Sequence, residues 1–161
     1  YRQGQGMLST TSQHANRMRA LRPYFTRVPA PFRGLLHLAH APSAAAAPVP
    51  AARLDHVRRA VVFGTGEGGR AALKLAERCG WSVEYLVDNN ASVWHTEAHG
   101  RGVRPPAALE ARDYDLVIVA SQAGKAAIFG QLERMGLSHA EHFVHFLEPV
   151  SVSGVTAQVV L

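Results

Sequence analysis

The 161-residue sequence predicts an α/β fold: a doubly wound parallel sheet of about five strands, preceded by a basic N-terminal extension. Three observations predict it. A short apolar run, residues 60–63, feeds directly into Gly64-x-Gly66-x-x-Gly69 and then into a helical pattern. A second apolar run ends on an acid, Asp88, 24 residues after Gly64. A third, DLVIVA over 115–120, is almost uninterrupted, as a parallel strand covered on both faces should be.

Each element has its own reason. Residues 60–63 form the first strand. Gly64 then allows a tight turn, Gly66 leaves room for backbone to approach a pyrophosphate, and Gly69 lets the following helix pack closely on the strand. That helix is expected over 68–79, with Ala71, Ala72, Leu75 and Ala76 as a small apolar face. Its N-terminus offers unpaired N–H groups and a partial positive charge to an anion. Gly80 caps its other end. Strand two is 82–87. Asp88 follows, about where a dinucleotide fingerprint places an acid that accepts from a ribose hydroxyl. An acid there also repels a 2′-phosphate and favours NAD over NADP. The competing reading is that Asp88 caps a turn in Asp88-Asn89-Asn90.

A loop of about 15 residues comes next, carrying Trp94, His95 and His99. Residues 102–104 are extended, and Pro105-Pro106 opens a short helix to Ala111. The strand at 115–120 leads into a crossing loop at 121–124. A helix over 125–135 ends at Gly136, and a last strand is expected at 142–146. This alternation specifies a parallel sheet with helices on both faces. Its ligand site belongs beyond the C-terminal ends of the strands, where the strand order reverses. Three loops meet there: 64–69, 88–91 and 121–125. Ser121 and Gln122 can hydrogen-bond a ribose, phosphate or sugar, while Lys125 either pairs with a phosphate or lies solvated.

Charge divides the chain. Residues 1–58 carry eight Arg and one acid, Asp55, whereas residues 59–161 carry nine Lys or Arg against eleven acids. The basicity therefore sits in the N-terminal third, and the slightly acidic remainder argues against nucleic-acid binding through the folded part. Residues 1–6 read as an upstream extension or an expression scar. Residues 7–53 read as a basic arm with a Pro/Ala linker at 41–52, and residues 54–161 as the nucleotide-binding domain. Within the arm, 13–22 is expected as a basic helix and 32–40 as a short apolar helix that docks on the domain or on a partner. Its composition fits a biased bacterial sequence, since the bias continues at 101–106; an organellar transit peptide is the alternative. No apolar run approaches the roughly 18 residues of a membrane span.

Other chemistry is thinly represented. The single cysteine, Cys79, excludes an internal disulfide and a cysteine-rich zinc site, and reads as a packed thiol. His95 and His99 are four apart but lie in an expected loop. His142 and His145 span an expected strand and point to opposite faces, so no metal site is expected. No G-x-S-x-G elbow makes Ser121 a hydrolase nucleophile. Glu67 reads as a solvated turn residue, and Trp81 and Trp94 as packing or interface residues.

Four segments, VVFGTGEGGRAALKLAERCGWSVEYLVDNN, GVRPPAAL, DYDLVIVAS and QLERMGL, resemble the small Rossmann-like domains of bacterial surface-sugar pathways. Such domains accompany polysaccharide epimerases and dehydratases, nucleotide-sugar acyltransferases, sugar methyltransferases and glycosyltransferases. The resemblance spans about residues 59–146. It implies NAD or NADP, or a nucleotide sugar, in the crevice, with contacts on Gly64, Thr65, Gly66, Gly69, Asp88, Asn89 and Ser121. It does not extend to the catalytic parts: neither Tyr85 nor Tyr114 has Lys four residues on. The expectation is a cytoplasmic nucleotide-binding module of polysaccharide biosynthesis, acting as a binding subunit or accessory domain. The alternative is an interaction or assembly protein that keeps the fold and docks on a partner enzyme, or on a second copy, through its arm.

Overall fold

The computed structural model describes residues 36–37, 49–152 and 155–159. In chain order the described strands and helices are β1 (Leu36–His37), β2 (Val49–Pro50), β3 (Arg59–Phe63), α1 (Glu67–Arg78), β4 (Ser82–Val87), β5 (Glu97–Ala98), β6 (Arg101–Arg104), β7 (Leu116–Val119), α2 (Lys125–Arg134), β8 (Phe143–His145), β9 (Pro149–Val152) and β10 (Val155–Val159). Single 3-10 turns lie at Ala51–Leu54, Ala91–Val93 and Pro106–Ala111.

Six strands form the central sheet in the order β5-β6-β4-β3-β7-β8. All neighbours pair in parallel except β5, which is antiparallel to β6. Numbered along the chain, the five parallel strands run 3-2-1-4-5, the doubly wound Rossmann order. The order reverses between β3 and β7, so the binding crevice of such a sheet opens above that seam.

The strands read as predicted because both faces are covered. Ala60 and Val62 of β3 pack with Leu116 and Ile118 of β7 under Ala72, Leu75 and Ala76 of α1. Val61 and Phe63 pack on the other face with Val117, Val119, Leu109 and the α2 residues Ile128 and Leu132. In β4 the register shifts between the pairs Ala60–Val83 and Val62–Leu86. A bulge of this kind puts Val83 and Leu86 on the α1 face and Tyr85 and Val87 on the other. Both helices end on the bonding pattern expected at a glycine cap. The N–H groups of Gly80 and Trp81 donate to Glu77 and Ala76, and those of Gly136 and Leu137 to Glu133 and Leu132. Cys79 is buried beneath α1, and burial pushes its thiol up to about 12, so it packs as an inert apolar group.

The structure differs from the sequence expectation in three places. The loop after β4 contains a strand, β5, which forms a hairpin with β6 (Ala98 opposite Arg101). Its turn residues His99 and Gly100 both have positive φ, 52° and 74°, as the tightest hairpin turns require. The strand at 143–145 is not the last: β9 and β10 follow, in a second sheet of order β1-β10-β9-β2. Leu36–His37 is a strand paired with Val159 and Gln158, not part of the helix expected over 32–40. In the second sheet β1–β10 and β2–β9 join segments far apart in the chain, which no local pattern announces, while β9 and β10 pair as neighbours in sequence, Val152 opposite Val155. The helix expected at 13–22 and most of the Pro/Ala linker lie outside the described residues.

The second sheet is joined to the central core. Val49 of β2 and Val150 of β9, each 1% exposed, pack in one cluster with Leu54, Val57, Val144 and Phe146. Val49→Asp is therefore expected to lower the unfolding free energy by at least about 2 kcal/mol, the worth of one buried valine, measured by urea denaturation.

Candidate functional site

The site begins with how closely α1 approaches the sheet. Gly64 has φ +121° and its N–H donates to Val87 O at 2.8 Å, which ties the turn to the end of β4. A Cβ on Gly68 would lie 1.9 Å from Ala120 O, at the end of β7. A Cβ on Gly69 would lie 2.3 Å from Gly64 O. The sequence reading assigned the close helix–strand contact to Gly69. The structure gives that contact to Gly68 and leaves Gly69 packed on the turn itself. The signal for Gly68 was the doubled glycine, Gly68-Gly69. Gly66, the N-cap of α1, differs: nothing lies within 4 Å of where its Cβ would be, and no side chain caps the helix. The first N–H groups of α1 are thus without a capping side chain, in the place where a helix favours an anion.

Asp88, directly after β4, faces this turn. Its Oδ2 accepts from Thr65 N–H at 2.9 Å and from Thr65 Oγ–H at 2.8 Å, and its Oδ1 accepts from Asn90 N–H at 2.8 Å. Trp94 Nε1–H donates to Asp88 O at 2.7 Å. The carboxylate thus both clasps the glycine turn and closes the Asp88–Asn90 turn. Thr65 Oγ and N–H are spent on this clasp. The His99 ring also reaches the turn, with Nε2 2.7 Å from Thr65 O and 3.2 Å from Gly66 O.

Asn89 and Gln131 of α2 exchange both amide hydrogen bonds, at 2.9 and 3.0 Å, and so join the end of β4 to the helix beyond the crevice. Ser121 Oγ accepts from Gly124 N–H at 2.9 Å, which shapes the turn into α2. Between these loops lies a cavity of about 300 Å³, lined by Phe63, Gly64, Thr65, Gly66, Asp88, Asn89, Ala120, Ser121 and Ile128. It holds six of the seven expected contact residues; Gly69 is buried behind the turn. The volume is at the lower end of small-molecule sites. Phe63, Ala120 and Ile128 give it apolar walls, and the turn and Asp88 give it polar ones. A larger cleft of about 590 Å³ lies outside α1, lined by Arg70, Leu73, Lys74, Glu77, Trp81, Ser82, Val83, His99 and Arg101. It is set off from the strand-order reversal, and the smaller cavity has the chemistry.

Sequence reasoning missed the histidine support beneath Ser121. His145, 2% exposed at the end of β8, approaches Ser121 O with Nε2 at 3.3 Å and accepts Leu147 N–H on Nδ1 at 3.3 Å. The ring is held neutral: burial, then the nearby Lys125 ammonium, lower its pKa, against smaller opposing effects of Ser121 and Glu148. Buried Glu148 accepts from His145 N–H at 2.8 Å and pairs with His139 at 3.1 Å. His142 Nδ1 accepts from Ser138 N–H. Among the described residues no three His, Cys, Asp or Glu converge to hold a metal, and no helix is long and apolar enough to cross a membrane. Glu67 pairs with Arg70 on the surface.

Two outcomes test this geometry. Gly68→Ala should destabilise by about 2–3 kcal/mol, because the methyl forces backbone apart, whereas Gly66→Ala should cost about 1 kcal/mol or less; paired urea melts decide. His145 binds a proton less readily folded than unfolded, so its contribution is intact above its ordinary value of 6.5 and stability falls as pH drops below it. Stability measured from pH 7.5 to 5.5 should decline, and His145→Gln should flatten that decline.

A comparison with curated proteins gives no significant match. Among solved structures the chain is similar to RSP, a Rex-family repressor, at 16% identity and TM-score 0.44, covering 57% of this chain and 46% of that one. RSP in complex with beta-NADH matches at 18% identity and TM-score 0.42, over 62% of this chain and 49% of the other. UDP-D-quinovosamine 4-dehydrogenase from Vibrio fischeri matches at 18% identity and TM-score 0.43, over 65% of this chain and 95% of that one. The chain thus spans less than half the length of the repressor chains it matches. The family profile described as C2185-like, N-terminal, matches residues 56–143, a span that contains β3 through α2, the glycine turn, Asp88 and Ser121. That span is more than half of the sequence, and the chain belongs to the C2185-like, N-terminal family.

Proposed function

We propose that this protein is a nucleotide-binding module that takes a pyrophosphate-bearing ligand, NAD(P) or a nucleotide sugar, in the crevice above β3 and β7. One observation carries the reading: a cavity at the reversal of strand order, with the uncapped N-terminus of α1 on one side and Gly66 offering open space in front of it. A phosphate there would meet N–H groups that no side chain uses. Gly64, Gly66, Asn89 and Ser121 would line the ligand, with Thr65 contributing through its backbone position rather than its hydroxyl. Gly69 would serve by letting the turn close.

Asp88 has one free acceptor position on Oδ1 in the present arrangement. It would take one ribose hydroxyl, and its charge would disfavour a 2′-phosphate, so NAD is the preferred dinucleotide. The resemblance to surface-sugar domains supports a place in cytoplasmic carbohydrate metabolism, as a binding subunit or accessory domain that assembles through its N-terminal arm. The second reading, an interaction module that keeps the fold without a ligand, draws on the same carboxylate: three of its acceptor positions are already filled from within the chain.

A calorimetric and thermal-shift panel of NAD, NADP, UDP-glucose and S-adenosylmethionine separates these. A ligand at a hundredfold excess over Kd should add about 2.7 kcal/mol of stability. Gly66→Val should remain folded, since its side chain meets open space, and should lose binding at least about tenfold by filling the phosphate position. A folded Gly66→Val protein that binds as tightly as the parent would remove the phosphate-cradle assignment, and silence across the panel would favour the interaction module.

A further inference from the structure

We propose that His99 is a positioning residue of the crevice, fixing the carbonyls of the glycine turn while Asp88 holds the Thr65 N–H and hydroxyl. Both partners of its Nε2 are carbonyl oxygens, Thr65 O at 2.7 Å and Gly66 O at 3.2 Å. Carbonyls only accept, so that nitrogen carries the hydrogen. Thr65 is then gripped on every polar group: Asp88 takes its N–H and Oγ–H, and His99 takes its carbonyl. The two grips fall on successive peptides, Asp88 on Gly64–Thr65 through its N–H and His99 on Thr65–Gly66 through its carbonyl, and Gly66 and the start of α1 follow directly on the second.

The hairpin is built for this reach. His99 sits in the left-handed region, φ 52°, at the first central position of the β5–β6 turn. A side chain there is uncommon, and a position that carries one usually has a compensating contact. The hairpin itself is held to the body by Arg101 Nε, which donates to Val83 O at 2.6 Å. The charged groups facing His99 are Arg70, Lys74 and Glu77 of α1 and Arg101 of β6, which line the same cleft, with Asp88 bonded to the other polar groups of Thr65. The role rests on the nucleotide reading only for what the turn is used for; the mechanical claim concerns the free protein.

The experiment uses the full chain, free and with NAD as probe, in wild type, His99→Ala and His99→Gln. Backbone ¹⁵N order parameters should be near 0.85 at Gly66 and Glu67 in the wild type and fall toward about 0.6 in His99→Ala. Glutamine, which keeps a donating N–H, should restore them. NAD affinity should weaken about two- to fivefold in His99→Ala and recover in His99→Gln. Order parameters unchanged in His99→Ala would overturn the role even where NAD binds. A turn that loosens in His99→Ala while no variant binds NAD supports the role and counts against a dinucleotide ligand instead.

Discussion

The contact between Gly68 and the Ala120 carbonyl sets the geometry of everything above the sheet. At that point the first turn of α1 lies directly on the end of β7, with no room for a methyl group. Because β7 is the strand across the reversal from β3, the contact locates the helix N-terminus over the seam itself. A helix start held further out would point its free N–H groups at solvent rather than into the cavity. Gly69 performs the matching role against Gly64 O, so helix, turn and two strand ends become one rigid corner. The apolar face of α1 below them, Ala72, Leu75 and Ala76, is small for the same reason: large side chains would lift the helix off Ala60 and Val62.

Around this corner the polar groups act as fasteners more than as loose ligand donors. Asp88, Asn89 and Ser121 each have partners within the chain. These bonds differ in strength. The Asp88 clasp is charge-assisted and half-buried, whereas the Asn89–Gln131 exchange is neutral and at the surface, where the net worth of a hydrogen bond is small. A ligand that displaced the amide pair would therefore lose little, while one that displaced Thr65 from Asp88 would lose the shape of the turn. The cavity can widen toward α2 more cheaply than toward the turn. His145 beneath Ser121 stiffens the third wall and stays neutral next to Lys125, whose ammonium lies over the Phe129 ring at 5.4 Å.

The central sheet was legible because its signals are local. Alternation, glycine spacing and caps placed β3, β4, β7 and both helices to within a residue or two, and 82–87 coincides with β4. The cavity was legible for the same reason: its lining residues sit at fixed offsets from strand ends, where the fold puts them whatever the ligand. What sequence could not supply was partnership. Asp88 marks the end of β4 in sequence, but nothing local says that its carboxylate turns back to Thr65, 23 residues earlier. The β5 strand escaped because two residues carry no periodicity, and the β1–β10 and β2–β9 pairings because they join segments far apart in the chain.

The crossover from β4 to β6 connects these points. In a doubly wound sheet this connection is ordinarily a helix lying beside α1. Here it is a 3-10 turn and a hairpin, with Val93, Trp94 and Ala98 partly covering the face that a helix would bury. The substitution leaves the large cleft beside α1 open, with Leu73, Trp81 and Val83 along it. It also brings two groups to the corner that a helix at that position would hold away. Trp94 donates to the Asp88 backbone, and His99 reaches the carbonyls of the glycine turn. Coverage of the sheet is reduced, and the support of the turn is increased. The short crossover is then best understood as part of the site, since the residues that replace the helix act on Asp88 and Thr65 and not only on the core.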